Sequence, residues 1–283
     1  MTDWTRPRRA VALGAAAIGM AASLGISAPA RAGVGDLLVA PTRIVLDGRK
    51  GAEIILNNIG DEPATYRISV DFRRMNPDGT LSDVAEPTAQ DKAAADMIVY
   101  APRRVTLAPR EPQAIRIAAR PAQGLPDGEY RVHMLFRAIP PATPVAQTAA
   151  GAEPPKGLRF QLTPVYGVTI PVIVRLGNLE AKAGIANVHL AKDSNGSNTV
   201  ALDLSRSGAR STFGDVRLIK PGAKEPIAVQ TSVAVYTELG SRRVTVPVRA
   251  DYKGELTGPV TVQYLDTSDK GTQVIAETQT VLR

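Results

Sequence analysis

The sequence of 283 residues predicts an all-β protein built from two β-sandwiches in series. Short segments in which apolar and polar residues alternate recur along most of the chain, and Gly, Pro, Asn and Asp separate them. In the clearest segment, residues 65–73, the apolar side chains Tyr66, Ile68 and Val70 alternate with polar ones. This period of two is typical of an antiparallel strand that places one face on a core.

The second half of the chain repeats this pattern, with about seven strand-like segments between residues 176 and 283, a density typical of a β-sandwich. The first half has a similar number, and its last apolar strand ends at Gly177 and Asn178. We therefore expect one domain over residues 33–175 and a second over residues 176–283. Only residues 88–97 have a helical composition, and they predict one short helix.

The N-terminus has the three parts of a secretory signal peptide. A basic head contains Arg6, Arg8 and Arg9, an apolar run covers residues 11–26, and Ala30-Arg31-Ala32 is a small-x-small cleavage pattern. The alternative is an uncleaved membrane anchor, for which the apolar run is short. Residues 1–32 are therefore predicted to be a signal peptide that directs the protein to the periplasm.

Composition excludes several classes of function. Without residues 1–32 the chain keeps 30 basic and 26 acidic residues, and a net charge of +4 is too small to indicate a nucleic-acid partner. No second apolar stretch is near the roughly 18 residues of a membrane span, so no stable membrane anchor is expected after signal cleavage. The absence of cysteine rules out disulfides, thiolate metal sites and thiol nucleophiles.

The sequence has few residues suited to catalysis. Its two histidines, His133 and His189, both lie among alternating residues and are expected to be exposed strand residues. The catalytic and phosphate-binding motifs of common enzymes are missing. Residues 193–198 faintly resemble a calcium loop but fit a hairpin turn better. No enzyme activity, cofactor or metal site is predicted.

Four segments of the first domain occur in a characteristic order. A strand at residues 40–46 carries a single Arg; the pattern P…L-x-P…I-R-I covers residues 102–117; Y-R…A-I-P covers residues 130–140; and a long apolar strand covers residues 158–175. Between the last two lies a Pro/Ala-rich stretch that predicts a mobile loop. Together these segments resemble the periplasmic pilus-assembly chaperones, the PapD-like family, over about residues 37–176. The resemblance implies immunoglobulin-like sandwiches for both domains.

The resemblance also implies a function. Chaperones of this family cap pilus or fimbrial subunits, which lack one strand, by donor-strand complementation, and deliver them to an outer-membrane usher. The donated strand here would span residues 158–174, with contacts from Leu158, Phe160, Leu162, Tyr166 and Val168. The alternative is an ordinary core strand. A single buried face does not explain the apolar Val165 and Ile173 of the other row, although packing between domains would.

The family binds the C-terminal carboxylate of the subunit with two basic residues. Arg43, the lone Arg of its strand, matches the first, unless it points to solvent at a sheet edge. The position of the second, a Lys in the family, holds Pro171 here, and Arg116 or Arg175 are possible substitutes. Pro164 and Pro171 cannot both face a free edge of a regular strand, so an irregularity is expected near Gly167.

Two other classes of function remain open at this stage. The chain could be a secreted structural or adhesive β-sandwich protein, which would lack a strand or carry a donor extension; each domain here has a full set of strands. It could also be a secreted enzyme or a carbohydrate-binding domain. Aromatic residues make up only 4% of the chain, and the single tryptophan, Trp4, lies in the signal peptide.

The three-part N-terminus predicts that the exported protein begins at Gly33. Intact-mass measurement of protein recovered from the periplasm should show the loss of residues 1–32. Retention of these residues in the exported protein would contradict cleavage and favour the membrane-anchor alternative.

Overall fold

The computed structural model describes residues 36–140, 165–267 and 271–283, which form two β-sandwiches joined by residues 177–180 and confirm the predicted fold class. The predicted signal peptide, the Pro/Ala-rich stretch and the donor residues Leu158, Phe160 and Leu162 lie outside the described residues. The described elements of the first sandwich are β1 (Leu37–Ala40), β2 (Ile44–Leu46), β3 (Ala52–Asn58), β4 (Ala64–Asp71), β5 (Arg73–Met75), β6 (Leu81–Asp83), α1 (Ala89–Asp96), β7 (Ile98–Ala101), β8 (Arg104–Leu107), β9 (Pro112–Ala119), β10 (Gly128–Ile139) and β11 (Gly167–Leu176). Those of the second are β12 (Ala181–Lys192), β13 (Asn198–Gly208), β14 (Thr212–Ile219), β15 (Ala228–Val235), β16 (Ser241–Pro247), β17 (Gly258–Asp266) and β18 (Gln273–Leu282).

Each sandwich has two main sheets. In the first, one sheet has the strand order β1-β3-β9-β7 and the other has the order β2-β11-β10-β4-β8. In the second, the orders are β12-β13-β16 and β15-β14-β17-β18. Among the described strands, the pair of β2 and β11 is parallel and the other pairs are antiparallel. In the five-stranded sheet, the long strands β10 and β11 each have a neighbouring strand on both sides.

The alternating pattern of β4 builds the core of the first sandwich as the sequence predicts. Tyr66 and Ile68 are buried, whereas Arg67 between them is exposed. Opposite this strand, Phe136 of β10 pairs with Ile68, and Met134 is also fully buried. Burying an apolar side chain of this size contributes roughly 1.5–3 kcal/mol, so each of these residues is a substantial part of the driving force that packs the two sheets together.

The predicted short helix is confirmed as α1, and its start is set by a capping box. The hydroxyl of Thr88 accepts a hydrogen bond from the backbone N–H of Asp91, and Asp91 in turn accepts one from the backbone N–H of Thr88. These two bonds satisfy donors that a helix N-terminus otherwise leaves free. The guanidinium of Arg74 lies 2.5 Å from the same carboxylate and ties the helix to β5.

The β5–β6 hairpin forms a small sheet of its own and extends to the second sandwich. The backbone N–H of Met75 donates to Glu238, and the carbonyl of Pro77 accepts from the N–H of Arg243. Met75 packs with Ile173 of β11 and with Ala234 and Tyr236 of the second sandwich. This buried cluster of Met75, Ile173, Ala234 and Tyr236 is referred to below as the interdomain seam.

The seam explains the second apolar row of β11. Ile173 has no exposed surface and packs between the two sandwiches. Its neighbours Val172 and Val174 point to the core of the first sandwich, where they are also buried. Packing between domains, the alternative that the sequence left open, therefore accounts for Ile173.

The expectation that His133 is exposed is wrong. Its side chain is only 1% exposed, and its ring stands edge-on to Tyr236 with the centroids 6.4 Å apart. The outward side of β10 at this position is covered by the second sandwich, which a strand-by-strand interpretation does not anticipate. Burial, together with the nearby charges of Arg131 and Arg73, lowers the pKa of His133 to about 4. His189, in contrast, is exposed as expected.

The low pKa of His133 predicts a loss of stability in acid. An unfolded His has a pKa near 6.5, so the unfolded chain takes up this proton first as the pH falls from about 6.5 toward 4. We expect this group to reduce the free energy of unfolding by about 3 kcal/mol between pH 7 and pH 4. Urea denaturation of the wild type and of His133→Gln should therefore give stability curves that converge in acid.

The exposed His189 provides the matched control, because His189→Gln should leave the pH profile of the wild type unchanged. Parallel curves for the wild type and His133→Gln across this range would contradict the prediction.

Candidate functional site

Strand β11 has one edge that is only partly covered. Along one side it pairs with β10 from Gly167 to Leu176. Along the other side, β2 pairs only with the segment from Val172 to Val174. Within the described chain, residues 167–171 therefore present an open strand edge, and such an edge can pair with an added strand.

An apolar cleft lies beside this open edge. It has a volume of about 230 Å³, lies between the ends of β1 and β11, and is lined by Leu37, Ile59, Phe136, Tyr166 and Val168 together with Asp36. Tyr166 is 52% exposed, and Ile59 is equally accessible. Two of the predicted donor contacts, Tyr166 and Val168, thus lie at one exposed apolar surface. Surfaces of this kind are typical of interaction sites.

Arg43 lies at the end of the open edge. The single strand expected at residues 40–46 is divided into β1 and β2, and Arg43 belongs to the link directly before β2. The parallel register pairs Ile44 with Val172, which places Arg43 level with Pro171. Its guanidinium carbon is 4.4 Å from the centre of the Phe213 ring in the second sandwich. Its Nε atom is buried and has no hydrogen-bond partner among the described residues. Burial and the nearby charge of Arg175 lower the pKa of Arg43, so an anion at this point would be favoured.

Arg175, a predicted substitute anchor, lies near Arg43 but already has partners. Its Nε donates to Oε2 of Glu129 at 3.0 Å, and its Nη2 donates to the carbonyl and the hydroxyl of Ser211. The N–H and hydroxyl of Ser211 donate to the same carboxylate oxygen. This buried network joins the first sandwich to the second, so Arg175 is bound within the fold.

Arg116, the other predicted substitute, is on a different surface. It belongs to β9, its side chain is 86% exposed, and it lies 3.4 Å from the carboxylate of Glu53. The structure brings it next to Val99 and Tyr100 in a separate surface cleft and not next to Arg43. Of the three predicted basic residues, only Arg43 and Arg175 lie together.

The irregularity expected near Gly167 is not present in the described part of the strand. The pairing of β11 with β10 continues without a shift from Gly167 to Leu176, and Pro164 lies outside the described residues. Pro171 pairs with His133 on the β10 side and precedes the first residue that pairs with β2. A proline at a free edge needs no ladder partner for its nitrogen, so a regular strand accommodates it.

The described residues show no sign of two other kinds of site. They contain no group of three or more His, Asp or Glu side chains that could hold a metal ion. They also contain no helix with the length and apolar character needed to cross a membrane.

Sequence reasoning missed the residues that complete this site. Phe213 is preceded by Thr212 and followed by Gly214, a context without a clear alternating pattern. Alternation places Glu129 on the polar face of its strand, opposite Tyr130, so its burial there, which requires a partner, had no signal in the sequence. Nothing in the sequence indicates Ser211 as that partner, because it belongs to the other sandwich.

The fold has counterparts among solved structures, although no protein-family model and no curated protein matches the sequence. The CupB2 chaperone of Pseudomonas aeruginosa is 13% identical, with 87% of this chain and 100% of that chain covered and a TM-score of 0.44. The E. coli chaperone DraB is 15% identical, with 88% of this chain and 98% of that chain covered and a TM-score of 0.42. A chain from the complex of the Salmonella enterica SafA pilin with the SafB chaperone is 16% identical, with 87% of this chain and 96% of that chain covered and a TM-score of 0.41. Two of these structures are of proteins named as chaperones, and the third is of a complex between a pilin and a chaperone.

The two arginines should differ in their effect on stability. Arg175→Ala leaves the carboxylate of Glu129 buried without its cation, which should lower the free energy of unfolding by about 3–5 kcal/mol. Arg43→Ala removes the cation–π contact with Phe213 and should lower it by a smaller amount, about 0.5–2 kcal/mol, the range for a partly desolvated contact of this kind. Urea unfolding of both variants checks this contrast, and an equal loss in the two would show that Arg43 has a structural role.

Proposed function

We propose that this protein is a periplasmic chaperone that binds pilus or fimbrial-type subunits by donating the edge of β11, and that it passes them to an outer-membrane usher. The observation that carries the proposal is the open edge of β11, which runs beside an apolar cleft and ends at Arg43, a half-buried cation that packs on Phe213 and whose Nε has no hydrogen-bond partner in the described chain. The function requires no catalytic group.

The geometry selects the direction of the bound strand. A strand added along residues 167–171 must stop where β2 begins, next to Arg43. If it runs parallel to β11, its C-terminal carboxylate meets the guanidinium; if it runs antiparallel, its N-terminal ammonium does. Because like charges at short distance are unfavourable, Arg43 favours a parallel strand that ends in a carboxylate.

Two kinds of contact would then share the binding energy. Backbone hydrogen bonds along β11 supply affinity that is independent of the subunit sequence, whereas side chains that face the subunit supply specificity. In the described part of the strand, the exposed Tyr166 would take the second role, together with the part of Val168 that lines the cleft and is not packed against the core of the first sandwich. The upstream residues Leu158, Phe160 and Leu162 would extend the same row into the groove of the subunit. Covering that groove protects exposed apolar surface and unpaired backbone groups from aggregation.

Purification from the periplasm tests the proposed function. A C-terminally tagged protein, produced in its own host, should elute with a small β-rich subunit in a one-to-one complex that native mass spectrometry resolves. The subunit should show an incomplete strand set. Recovery of the tagged protein only in its free form, from cells that assemble surface fibres, would overturn the proposal.

Arg43→Ala should abolish capture without unfolding the chaperone. Loss of a charge-assisted contact in a shielded cleft costs about 2–5 kcal/mol, or roughly 30-fold or more in affinity. The probe is a fluorescent peptide with two N-terminal lysines followed by alternating threonine and valine and a free C-terminal carboxylate. Anisotropy should show wild-type binding to this peptide and a strong loss for Arg43→Ala.

Two controls accompany this measurement. The same peptide with a C-terminal amide should bind the wild type as weakly as the carboxylate peptide binds Arg43→Ala. Arg116→Ala, which removes an exposed Arg from the other sheet, should bind both peptides as the wild type does. Equal binding of the carboxylate and amide peptides by the wild type would exclude Arg43 as a carboxylate anchor.

A further inference from the structure

Glu238 joins three segments at the boundary between the sandwiches. It follows β15 in the second sandwich, and its Oε1 accepts hydrogen bonds from the N–H of Met75 at 2.9 Å and from Nη2 of Arg131 at 2.5 Å. Its Oε2 accepts from Nη1 of Arg131 at 2.9 Å. The two guanidinium contacts form a bidentate pair, which is the strong and directional form of this interaction.

Arg131 is itself fixed by its surroundings. Its side chain is 6% exposed, and its guanidinium carbon lies 3.8 Å from the centre of the Tyr236 ring. Its Nη2 also donates to the carbonyl of Arg73 at the base of the hairpin. Burial acts to raise the pKa of Glu238, but the hydrogen bonds and charge of Arg131 outweigh it, so the pKa lies below its usual value and the pair stays ionised.

The β5–β6 hairpin is held against the second sandwich at two points. At its base, Met75 enters the interdomain seam while its N–H bonds to Glu238. At its tip, the carbonyl of Pro77 accepts from the N–H of Arg243 at 2.7 Å. The hairpin therefore acts as a bridge whose length and direction restrict how the second sandwich can turn relative to the first.

The interdomain seam supports both partners of the cation–π contact, Arg43 and Phe213. Phe213, which lies over Arg43, pairs with Ala234 of the seam in the β14–β15 ladder. On the other side, Ile173 of the seam directly follows Val172, the residue that pairs with the strand beginning next to Arg43. In the described part of the chain, Glu238 bonds to Met75 and Arg131 and not to Arg43, yet it fixes the seam that sets the distance of Arg43 from Phe213.

We infer that Glu238 is a positioning residue for subunit capture: by holding Arg131 and the hairpin, it keeps Phe213 over Arg43 and so keeps the carboxylate site shielded from water. This inference rests on the proposed function. The shielding matters because the attraction between a guanidinium and a carboxylate weakens sharply when water enters between them. Loosening the seam should therefore weaken the carboxylate contact more than the backbone contacts along β11.

The first experiment measures this selectivity with the carboxylate and amide peptides described above. The wild type should prefer the carboxylate peptide by roughly 30-fold, and Glu238→Ala should reduce that preference to about 3-fold. A general loss of folded protein lowers the binding of both peptides equally and leaves their ratio unchanged. Glu238→Gln, which keeps an acceptor for Met75, should give an intermediate ratio.

Glu225→Ala is the matched control, because Glu225 forms an exposed ion pair with Arg249 in the same sandwich, away from the seam. Its peptide ratio should equal that of the wild type.

The second experiment tests whether fixing the hairpin restores the site. Since the chain has no cysteine, Pro77→Cys and Arg243→Cys introduce a unique pair at a point where the two backbones are hydrogen-bonded. Added to Glu238→Ala, the oxidised pair should recover most of the preference for the carboxylate peptide, and reduction should remove it again. A separate measurement uses proteins without the Pro77 and Arg243 substitutions. Spin labels at both Gln113→Cys and Gln279→Cys in one molecule should show a broader interdomain distance distribution for Glu238→Ala than for the protein with Glu238.

The outcomes separate this inference from the proposed function. A wild-type protein that binds neither peptide overturns the proposed function and the capture role of Glu238 together. Wild-type preference for the carboxylate peptide that persists in Glu238→Ala overturns the positioning role alone. An equal loss for both peptides in Glu238→Ala, or an oxidised disulfide that restores nothing, also overturns it.

Discussion

The proposed binding site depends on one buried carboxylate, that of Glu129, which joins the two sandwiches at their junction. It accepts hydrogen bonds from Arg175 of its own sandwich and from the backbone and hydroxyl of Ser211 in the other. A carboxylate buried this deeply is costly to desolvate and is tolerated only when such partners are in place. The second sandwich is therefore held where its Phe213 reaches Arg43, and the remaining geometry of the site follows from that placement.

The arginines near the junction differ in how their donors are used. Arg131 is paired with Glu238, Arg175 with Glu129, and Arg242 donates to the carbonyl of Ala234. Arg43 packs on the Phe213 ring, and its buried Nε, like those of Arg131 and Arg242, has no hydrogen-bond partner in the described chain. Three of these cations are thus held by acceptors within the fold, whereas Arg43 is partly desolvated and has the carboxylates of Glu129 and Asp266 as nearby charges. Such an arrangement favours an anionic ligand, because the cost of burial is already met by the folded protein.

Strand β11 serves three purposes along ten residues. Its inward side chains, such as Val172, fill the core of the first sandwich, and Ile173 on its other face fills the seam. Its edge is covered by β2 at one end and open at the other, with Pro171 at the change. Because the strand is fixed on both faces and along one edge, its open edge is rigid, and a rigid template loses little conformational entropy when a second strand pairs with it.

Local pattern alone predicted the fold class, the short helix and many of the strands, since alternation such as that in β4 acts over a few neighbouring residues. It did not predict β12 or the strands of the β5–β6 hairpin. It also singled out Arg43 as a charge that needed an explanation. The burial of His133, the pairing of Glu129 with Ser211 and the place of Phe213 were decided only by the tertiary structure. A sequence pattern shows which residues share a face of a strand; what covers that face depends on residues about 80 to 170 positions away. The packing of the second sandwich therefore made an outward-facing strand residue a buried one and an isolated arginine part of a site.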